Sequence, residues 1–156
     1  MWLQRCLLAL ALGVPLSAAS WSAPQDVRKT VWDGVYTEAQ SQRGEQLFKS
    51  ECSYCHKLDL SGGFFDNGTG RAATLAGPRA FGSSFEERWK DLTVGDMVAT
   101  IAATMPQQRP TSLSVQTYVD IVSYLLAKNQ VPAGKTELPV DVDALMQLTI
   151  TPRPRD

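Results

Sequence analysis

Two cysteines and a histidine lie together in the segment Cys52-Ser53-Tyr54-Cys55-His56. Two thiols at this spacing can add across the two vinyl groups of a porphyrin, and the histidine that follows can then supply an axial ligand to the iron. The pattern therefore predicts covalent attachment of a c-type haem. Cys52 and Cys55 are the predicted thioether residues, and His56 is the predicted iron ligand.

The cysteine pair has two other interpretations, a dithiol redox pair and half of a zinc site. A zinc site needs two further Cys or His ligands, whereas His56 is the only histidine and Cys6 the only other cysteine of the chain. A dithiol oxidoreductase usually places its cysteines in a βαβ pattern, and no strand-rich segments flank this pair. Because the motif also occurs by chance, a second axial ligand has to support the haem interpretation.

Met105 is the predicted second axial ligand. It ends the apolar face of a predicted helix, whose members recur at spacings of three, four and seven residues: Val98, Ile101, Ala102 and Met105. Thr93 is the predicted N-cap of that helix. Pro106 ends the helix, because the residue before a proline is pushed out of the α region. A thioether sulfur is a soft, neutral donor, and His/Met ligation raises the reduction potential of a haem. The alternatives are an ordinary core role for Met105 and ligation by Met97 or Met146.

Two other predicted helices must position these ligands. The capping-box pattern that starts at Thr37 predicts a helix from Glu38 to about Ser50, which leads directly into Cys52. Ser114 predicts the N-cap of a last main helix over 115–128, with an amphipathic face.

The segment 58–88 is rich in glycine and is predicted to be irregular. A bound haem explains so long a loop, because the cofactor replaces part of the core. Apolar side chains of this segment can pack on the edge of the macrocycle: Phe64, Phe65, Leu75, Phe81 and Phe85. Arg88 and Trp89 are candidates for bonds to the haem propionates.

The first 23 residues predict a secretory signal peptide. Arg5 precedes an apolar run over 7–12, and small residues follow at 16–20. A retained membrane anchor is the alternative, although this run is short for a bilayer span. The mature chain would then have an N-terminal extension (24–36), a single domain (37–134) and a C-terminal tail (135–156), and it would be periplasmic without a membrane span. The extension is expected to form a strand-like arm that packs on the body of the domain, and a contact with a partner protein is the alternative.

The charge of the chain excludes one class of partner. The formal net charge is −1 at pH 7, whereas nucleic-acid binders carry basic surfaces. We therefore expect protein partners, which would dock through a local patch at the haem edge.

The chain resembles the bacterial class I c-type cytochromes, and more narrowly the small cytochromes associated with quinoprotein (pyrroloquinoline quinone) dehydrogenases. Beside the haem motif, segments over nearly the whole mature chain carry the resemblance: Val31-Trp32-Asp33-Gly34-Val35-Tyr36-Thr37, Gln42-Arg43-Gly44, Leu75-Ala76-Gly77, Thr93-Val94-Gly95-Asp96, Thr104-Met105-Pro106, Asp120-Ile121-Val122 and Pro132-Ala133-Gly134. The resemblance implies an all-α, cytochrome c-like fold in which N- and C-terminal helices cross beside one covalently bound haem c.

The sequence departs from its relatives at one position of the haem loop. Relatives usually carry a proline two residues before the leucine that corresponds to Leu75, and its carbonyl accepts a bond from the haem histidine. Here that residue is Ala73. Either the Ala73 carbonyl takes the same role or the loop differs locally.

The predicted function is transfer of single electrons between a dehydrogenase and a terminal acceptor such as an oxidase, without substrate chemistry of its own. A haem enzyme or gas sensor is the alternative, and it would need an open or labile sixth iron position. A dedicated subunit fixed to one dehydrogenase is a third possibility.

Overall fold

The computed structural model describes residues 29–64, 70–76 and 85–155. This part is mainly helical, with six α-helices: α1 (Glu38–Glu51), α2 (Ser53–His56), α3 (Phe85–Trp89), α4 (Val94–Thr104), α5 (Val115–Lys128) and α6 (Val142–Met146). In the glycine-rich segment, the strands β1 (Gly63–Phe64) and β2 (Arg71–Ala72) form an antiparallel pair. The sequence predicted neither this short pair nor α3.

Several sequence predictions fall outside the described residues. These include the signal peptide over 1–23, Cys6, Phe65 and Phe81. Within the ranges that the structure describes, no helix has the length and apolar character needed to cross a bilayer.

Side-chain caps fix the first turns of the three main helices at the predicted residues. The hydroxyl oxygens of Thr37, Thr93 and Ser114 each accept a bond from the backbone N–H three residues later. At Thr93 the bond is reciprocal, because Asp96 Oδ2 accepts from the Thr93 N–H at 2.8 Å and from its hydroxyl at 2.7 Å. Each cap satisfies a donor that the helix itself leaves without a partner.

Helices α1 and α5 pack closely where Gly44 meets Asp120. A Cβ atom at Gly44 would lie 1.9 Å from the Asp120 carbonyl oxygen, so only glycine allows this approach. One turn further along, the rings of Phe48 and Tyr124 lie 5.3 Å apart. Arg43 bridges the same crossing, since its Nε and Nη2 atoms each lie 3.2 Å from the Asp120 carboxylate. The predicted crossing of the first and last main helices is confirmed.

Residues 31–33 form a 3₁₀ turn, and the expectation of a strand-like N-terminal arm is wrong there. The carboxylate of Asp33 accepts bonds from the backbone N–H and the hydroxyl of Thr30, at 2.7 and 3.1 Å, which curls the chain. Gly34 then ends the turn with a φ of 68°. Before the turn, Thr30 forms an isolated parallel β-bridge with Thr149.

The C-terminal segment packs into the core. Its backbone carbonyls accept bonds from the extension, where Val31 N–H lies 3.0 Å from Thr149 O, and from α4, where Val94 N–H lies 2.8 Å from Leu148 O. Four of its apolar side chains are almost completely buried: Leu138, Leu145, Leu148 and Ile150. The core thus includes residues on both sides of the boundaries predicted at 36/37 and 134/135, which stay sequence predictions.

A buried amide joins this segment to α1. Gln40 is fully buried, and its Nε2 atom donates to the Leu138 carbonyl at 3.1 Å. Its Oε1 atom accepts from the Leu138 N–H at 2.8 Å. Both ends of the amide are therefore satisfied by a single residue of the tail.

Candidate haem-binding site

One cavity of about 540 Å³ brings the four predicted site residues together: Cys52, Cys55, His56 and Met105. Its volume falls within the range that holds small-molecule and cofactor ligands. Its walls come from the end of α1, from α2, from the residues around β2, and from α3, α4 and α5. Most of the side chains that close it are apolar, among them Phe48, Leu75, Phe85, Trp89, Ile101 and Leu125.

The two cysteines are free thiols at the junction of α1 and α2. Cys52 ends α1 with its N–H bonded to Phe48 O at 2.9 Å, and its own carbonyl accepts from His56 N–H at 3.0 Å. Burial raises the pKa of the Cys52 thiol to about 12, and the nearby Glu51 carboxylate adds to that shift. Because dithiol oxidoreductases work through a stabilised thiolate, this environment disfavours the dithiol interpretation.

The zinc interpretation finds no ligand set in the part of the chain that the structure describes. No group of three or more His, Cys, Asp or Glu side chains there could hold a metal ion. The cysteine pair faces an apolar cavity instead, with one imidazole beside it.

His56 is held in a single tautomer by the chain itself. Its Nδ1 atom lies 2.9 Å from the Ala73 carbonyl oxygen. A carbonyl only accepts, so Nδ1 carries the proton and the lone pair is on Nε2. Burial lowers the pKa of His56, which favours the neutral ring; the bond to Ala73 opposes this shift, and the positive charge of Arg88 adds to it. Metal-bound histidines are oriented by this kind of second bond, and Ala73 supplies it here in place of the relatives' proline.

Met105 lies at the end of α4, where Pro106 stops the helix as predicted. Its N–H still bonds to Ile101 O at 2.7 Å, but its own backbone is extended, with φ −129° and ψ 149°. The hydroxyl of Tyr118, on α5, donates to the Met105 carbonyl at 2.8 Å. The backbone of Met105 is therefore held from both neighbouring helices.

The two competing methionines differ in their positions. Met97 is buried on α4 and lines the same cavity. Met146 lies elsewhere: it covers Gly95, and its sulfur lies 3.1 Å from the Thr93 hydroxyl oxygen. The structure thus leaves Met105 and Met97 at the cavity and places Met146 away from it.

Some of the residues predicted to contact the haem line the cavity, and one of them, Phe64, does not. Leu75 and Phe85 line the cavity, as do Arg88 and Trp89, the two candidates for the propionates. Phe64 is not among the lining residues and is 63% exposed, with the Arg71 guanidinium 4.7 Å from its ring centroid. The cavity therefore gives no support to the expectation that Phe64 packs on the macrocycle, which stays a prediction.

The donor set and the cavity fit a haem c. Two thiols could form the thioethers, one imidazole could present Nε2 to the iron, and a methionine thioether lies at the end of α4. The surrounding side chains would exclude water from the macrocycle. The structure brings these residues to one cavity, and their roles as attachment points and iron ligands stay predictions.

The sequence did not reveal two contacts at this site. One is the Tyr118–Met105 bond. The other is an ion pair in which Arg109 Nη2 donates to the carboxylate of Glu51, the last residue of α1. Glu51 and Arg109 lie 58 residues apart in the chain, and no local pattern marks such a pair.

Comparison with known proteins decides the family. The family described as cytochrome c oxidase, cbb3-type, subunit III, matches residues 39–125, more than half of the chain. The chain belongs to this family. It is a class I c-type cytochrome with the cytochrome c-like fold that the sequence predicted.

The other comparisons support the fold and do not identify a function. Among curated proteins, none matches this cytochrome. The solved structure of the sulfane dehydrogenase SoxCD from Paracoccus pantotrophus is 18% identical, with a TM-score of 0.50. The alignment covers 87% of this cytochrome and 68% of that chain. At this identity the likeness shows a shared fold.

Proposed function

We propose that the chain is a periplasmic monohaem c-type cytochrome that carries single electrons between a dehydrogenase and a terminal acceptor such as an oxidase. One observation carries this proposal. His56, with its Nδ1 bonded to the Ala73 carbonyl, shares a mainly apolar cavity with two thiols and Met105. These are the groups that covalent attachment and two-sided ligation of one haem require.

Each of these residues has one task in the proposed mechanism. Cys52 and Cys55 fix the cofactor by thioether bonds, so that it cannot dissociate. His56 presents Nε2, and its bond to Ala73 keeps the ring from turning. Met105 presents its sulfur from a backbone that Tyr118 holds. Bound haem supplies an iron that alternates between the ferric and ferrous states and so takes up and releases one electron.

The proposed location and partners depend on other observations. The signal-peptide pattern over 1–23 supports export. The family is described as a subunit of an oxidase, and the SoxCD structure is described as a dehydrogenase. These descriptions, together with the resemblance to cytochromes of quinoprotein dehydrogenases, support a dehydrogenase as donor and an oxidase as acceptor.

The test is optical and uses the purified haem-loaded protein. We expect a low-spin ferric spectrum with a weak band at about 695 nm, which marks ligation by a methionine sulfur. Mixing with a quinoprotein dehydrogenase and its substrate should reduce the protein. A high-spin ferric spectrum without that band would contradict the proposal and favour a haem enzyme or gas sensor with an open sixth position.

Location needs its own measurement. We expect cell fractionation to place the haem-stained protein in the periplasm, with an N-terminus close to residue 24. Haem-stained protein that stays in the membrane fraction after high salt, with its N-terminus intact, would support the retained anchor instead.

A further inference from the structure

Met105 begins a loop, residues 105–114, that joins α4 to α5. Two backbone hydrogen bonds hold the loop. Thr111 N–H donates to the carbonyl of Ala102 in α4 at 2.9 Å, and Arg109 N–H donates to Pro106 O within the loop at 2.8 Å. With the Tyr118 bond, these contacts attach the loop to the two helices that flank it. They do not connect the loop to α1, the helix that leads into Cys52.

The Glu51–Arg109 ion pair makes that connection. Glu51 is the last residue of α1, directly before Cys52; it lines the cavity, and 22% of its side chain is exposed. Arg109 lies four residues after Met105, and its Nη1 atom also donates to Ser112 Oγ at 3.0 Å. One guanidinium is thus bonded to both the loop and α1.

We propose that the Glu51–Arg109 ion pair is a positioning contact that keeps the Met105 loop closed against the end of α1, and so keeps the sixth iron position occupied. This inference rests on the proposed function, because it takes Met105 as the sulfur ligand. The geometry carries it: the pair joins the residue before the first thioether cysteine to the loop that begins with the ligand. A planar guanidinium is suited to this task, because its donors are fixed relative to one another.

Loss of the ion pair should have an effect on loop opening that is large enough to measure and too small to unfold the protein. Ion pairs with this exposure contribute modestly, so its loss should favour displacement of Met105 by about two- to fivefold. The loop would open more often, and an external ligand would compete more successfully for the position that Met105 leaves.

The experiment is a titration of the oxidised haem-loaded protein with imidazole, followed by loss of the band at about 695 nm. The variants are Glu51→Gln, Arg109→Gln and the double variant. Each single variant should raise the apparent imidazole affinity about two- to fivefold. The double variant should match the single ones, because both remove the same pair.

A second ion pair on α1 gives a matched control. Lys49 and Glu45 lie 3.1 Å apart on the exposed surface, one helical turn from each other. The variant Glu45→Gln removes a comparable pair that does not reach the loop, and its imidazole affinity should equal that of the wild type. Circular dichroism of every variant should show unchanged helix content.

The results separate this inference from the function on which it rests. A wild-type protein without the band would contradict His/Met ligation and both proposals together. If the wild type shows the band, unchanged affinity in Glu51→Gln and Arg109→Gln would overturn the positioning role alone. Effects that add in the double variant would also overturn it, because two independent contacts would then be responsible. Should Glu51→Gln not accumulate as folded protein, the exposed Arg109→Gln variant decides.

Discussion

The hydroxyl of Tyr118 and the carbonyl oxygen of Met105 lie 2.8 Å apart, as donor and acceptor of one hydrogen bond. Tyr118 is buried in the first turn of α5, and Met105 follows the last turn of α4. The bond reaches the backbone and not the sulfur, so it fixes where the side chain starts while leaving the thioether available.

Loss of this hydroxyl should therefore weaken the predicted iron ligation. We expect Tyr118→Phe to raise the imidazole affinity of the oxidised protein and to lower the free energy of unfolding by about 1 kcal/mol. Tyr36→Phe is the matched control, because Tyr36 donates to Val131 O at 2.6 Å and does not line the cavity. It should cost similar stability and leave the imidazole titration unchanged. Equal changes in both titrations would show a general loosening and not a local one.

Substitution of single methionines tests which sulfur is the ligand. Met105→Leu should abolish the band at about 695 nm and produce high-spin iron, because leucine offers no donor atom. Met97→Leu should keep the band, since Met97 is expected to act only in packing. Met105→His should stay low-spin with a lower reduction potential, measured by redox titration. Retention of the band in Met105→Leu and its loss in Met97→Leu would reverse the assignment.

Gly44 offers a test of the helix crossing. Alanine normally stabilises an exposed helix position by about 1 kcal/mol relative to glycine, but here its Cβ would lie 1.9 Å from Asp120 O. We expect Gly44→Ala to destabilise the fold by about 3 kcal/mol, because the helices must move apart. Denaturant unfolding measures this, with Gln46→Ala on the exposed face of α1 as the near-neutral control. A stabilised Gly44→Ala variant would disprove the close approach.

The reciprocal cap at Asp96 predicts a pH dependence. Bonds from the backbone N–H and the hydroxyl of Thr93 hold the pKa of Asp96 below its ordinary value. A carboxylate with a lowered folded-state pKa stabilises the fold above its unfolded pKa of about 3.9, and that stabilisation is lost as the pH falls through the folded-state value.

The corresponding variant is Asp96→Asn. We expect it to lower the free energy of unfolding by about 1 kcal/mol at pH 7, and we expect the difference from the wild type to shrink below about pH 4. Denaturant unfolding at several pH values measures this, and Asp91→Asn at an exposed position is the control. A difference that stays constant down to pH 2 would show that the charge of Asp96 contributes nothing.

Local signals account for what the sequence predicted well. Thr37, Thr93 and Ser114 marked the starts of the main helices, and Pro106 marked the end of α4, because caps and prolines act through neighbouring residues. The C-x-x-C-H motif is likewise local, because its two thiols and its imidazole lie within five residues. These features placed three of the four site residues, and the apolar periodicity of α4 supplied Met105.

Contacts between distant segments were harder to predict. The sequence left open whether the Ala73 carbonyl would bond to His56, because the answer depends on how a glycine-rich loop folds back over seventeen residues. The Glu51–Arg109 pair spans a still longer separation, and charged residues of both signs are common along the chain. The turn at Val31–Asp33 was predicted as extended, because its apolar and aromatic composition favours a strand, while one carboxylate bonded to Thr30 decides otherwise.

The buried amide of Gln40 has a consequence for anyone who would transplant this haem site into a smaller protein. The residues matched by the family end at 125, yet both bonds of that amide go to Leu138. A minimal scaffold limited to the family's span would remove both partners of this amide, at a cost of about 0.5–1.5 kcal/mol for each lost bond, and more for a group that stays buried. The portable unit is therefore larger than the ligand-bearing helices, and a redesign would have to replace Gln40 before it could shorten the chain.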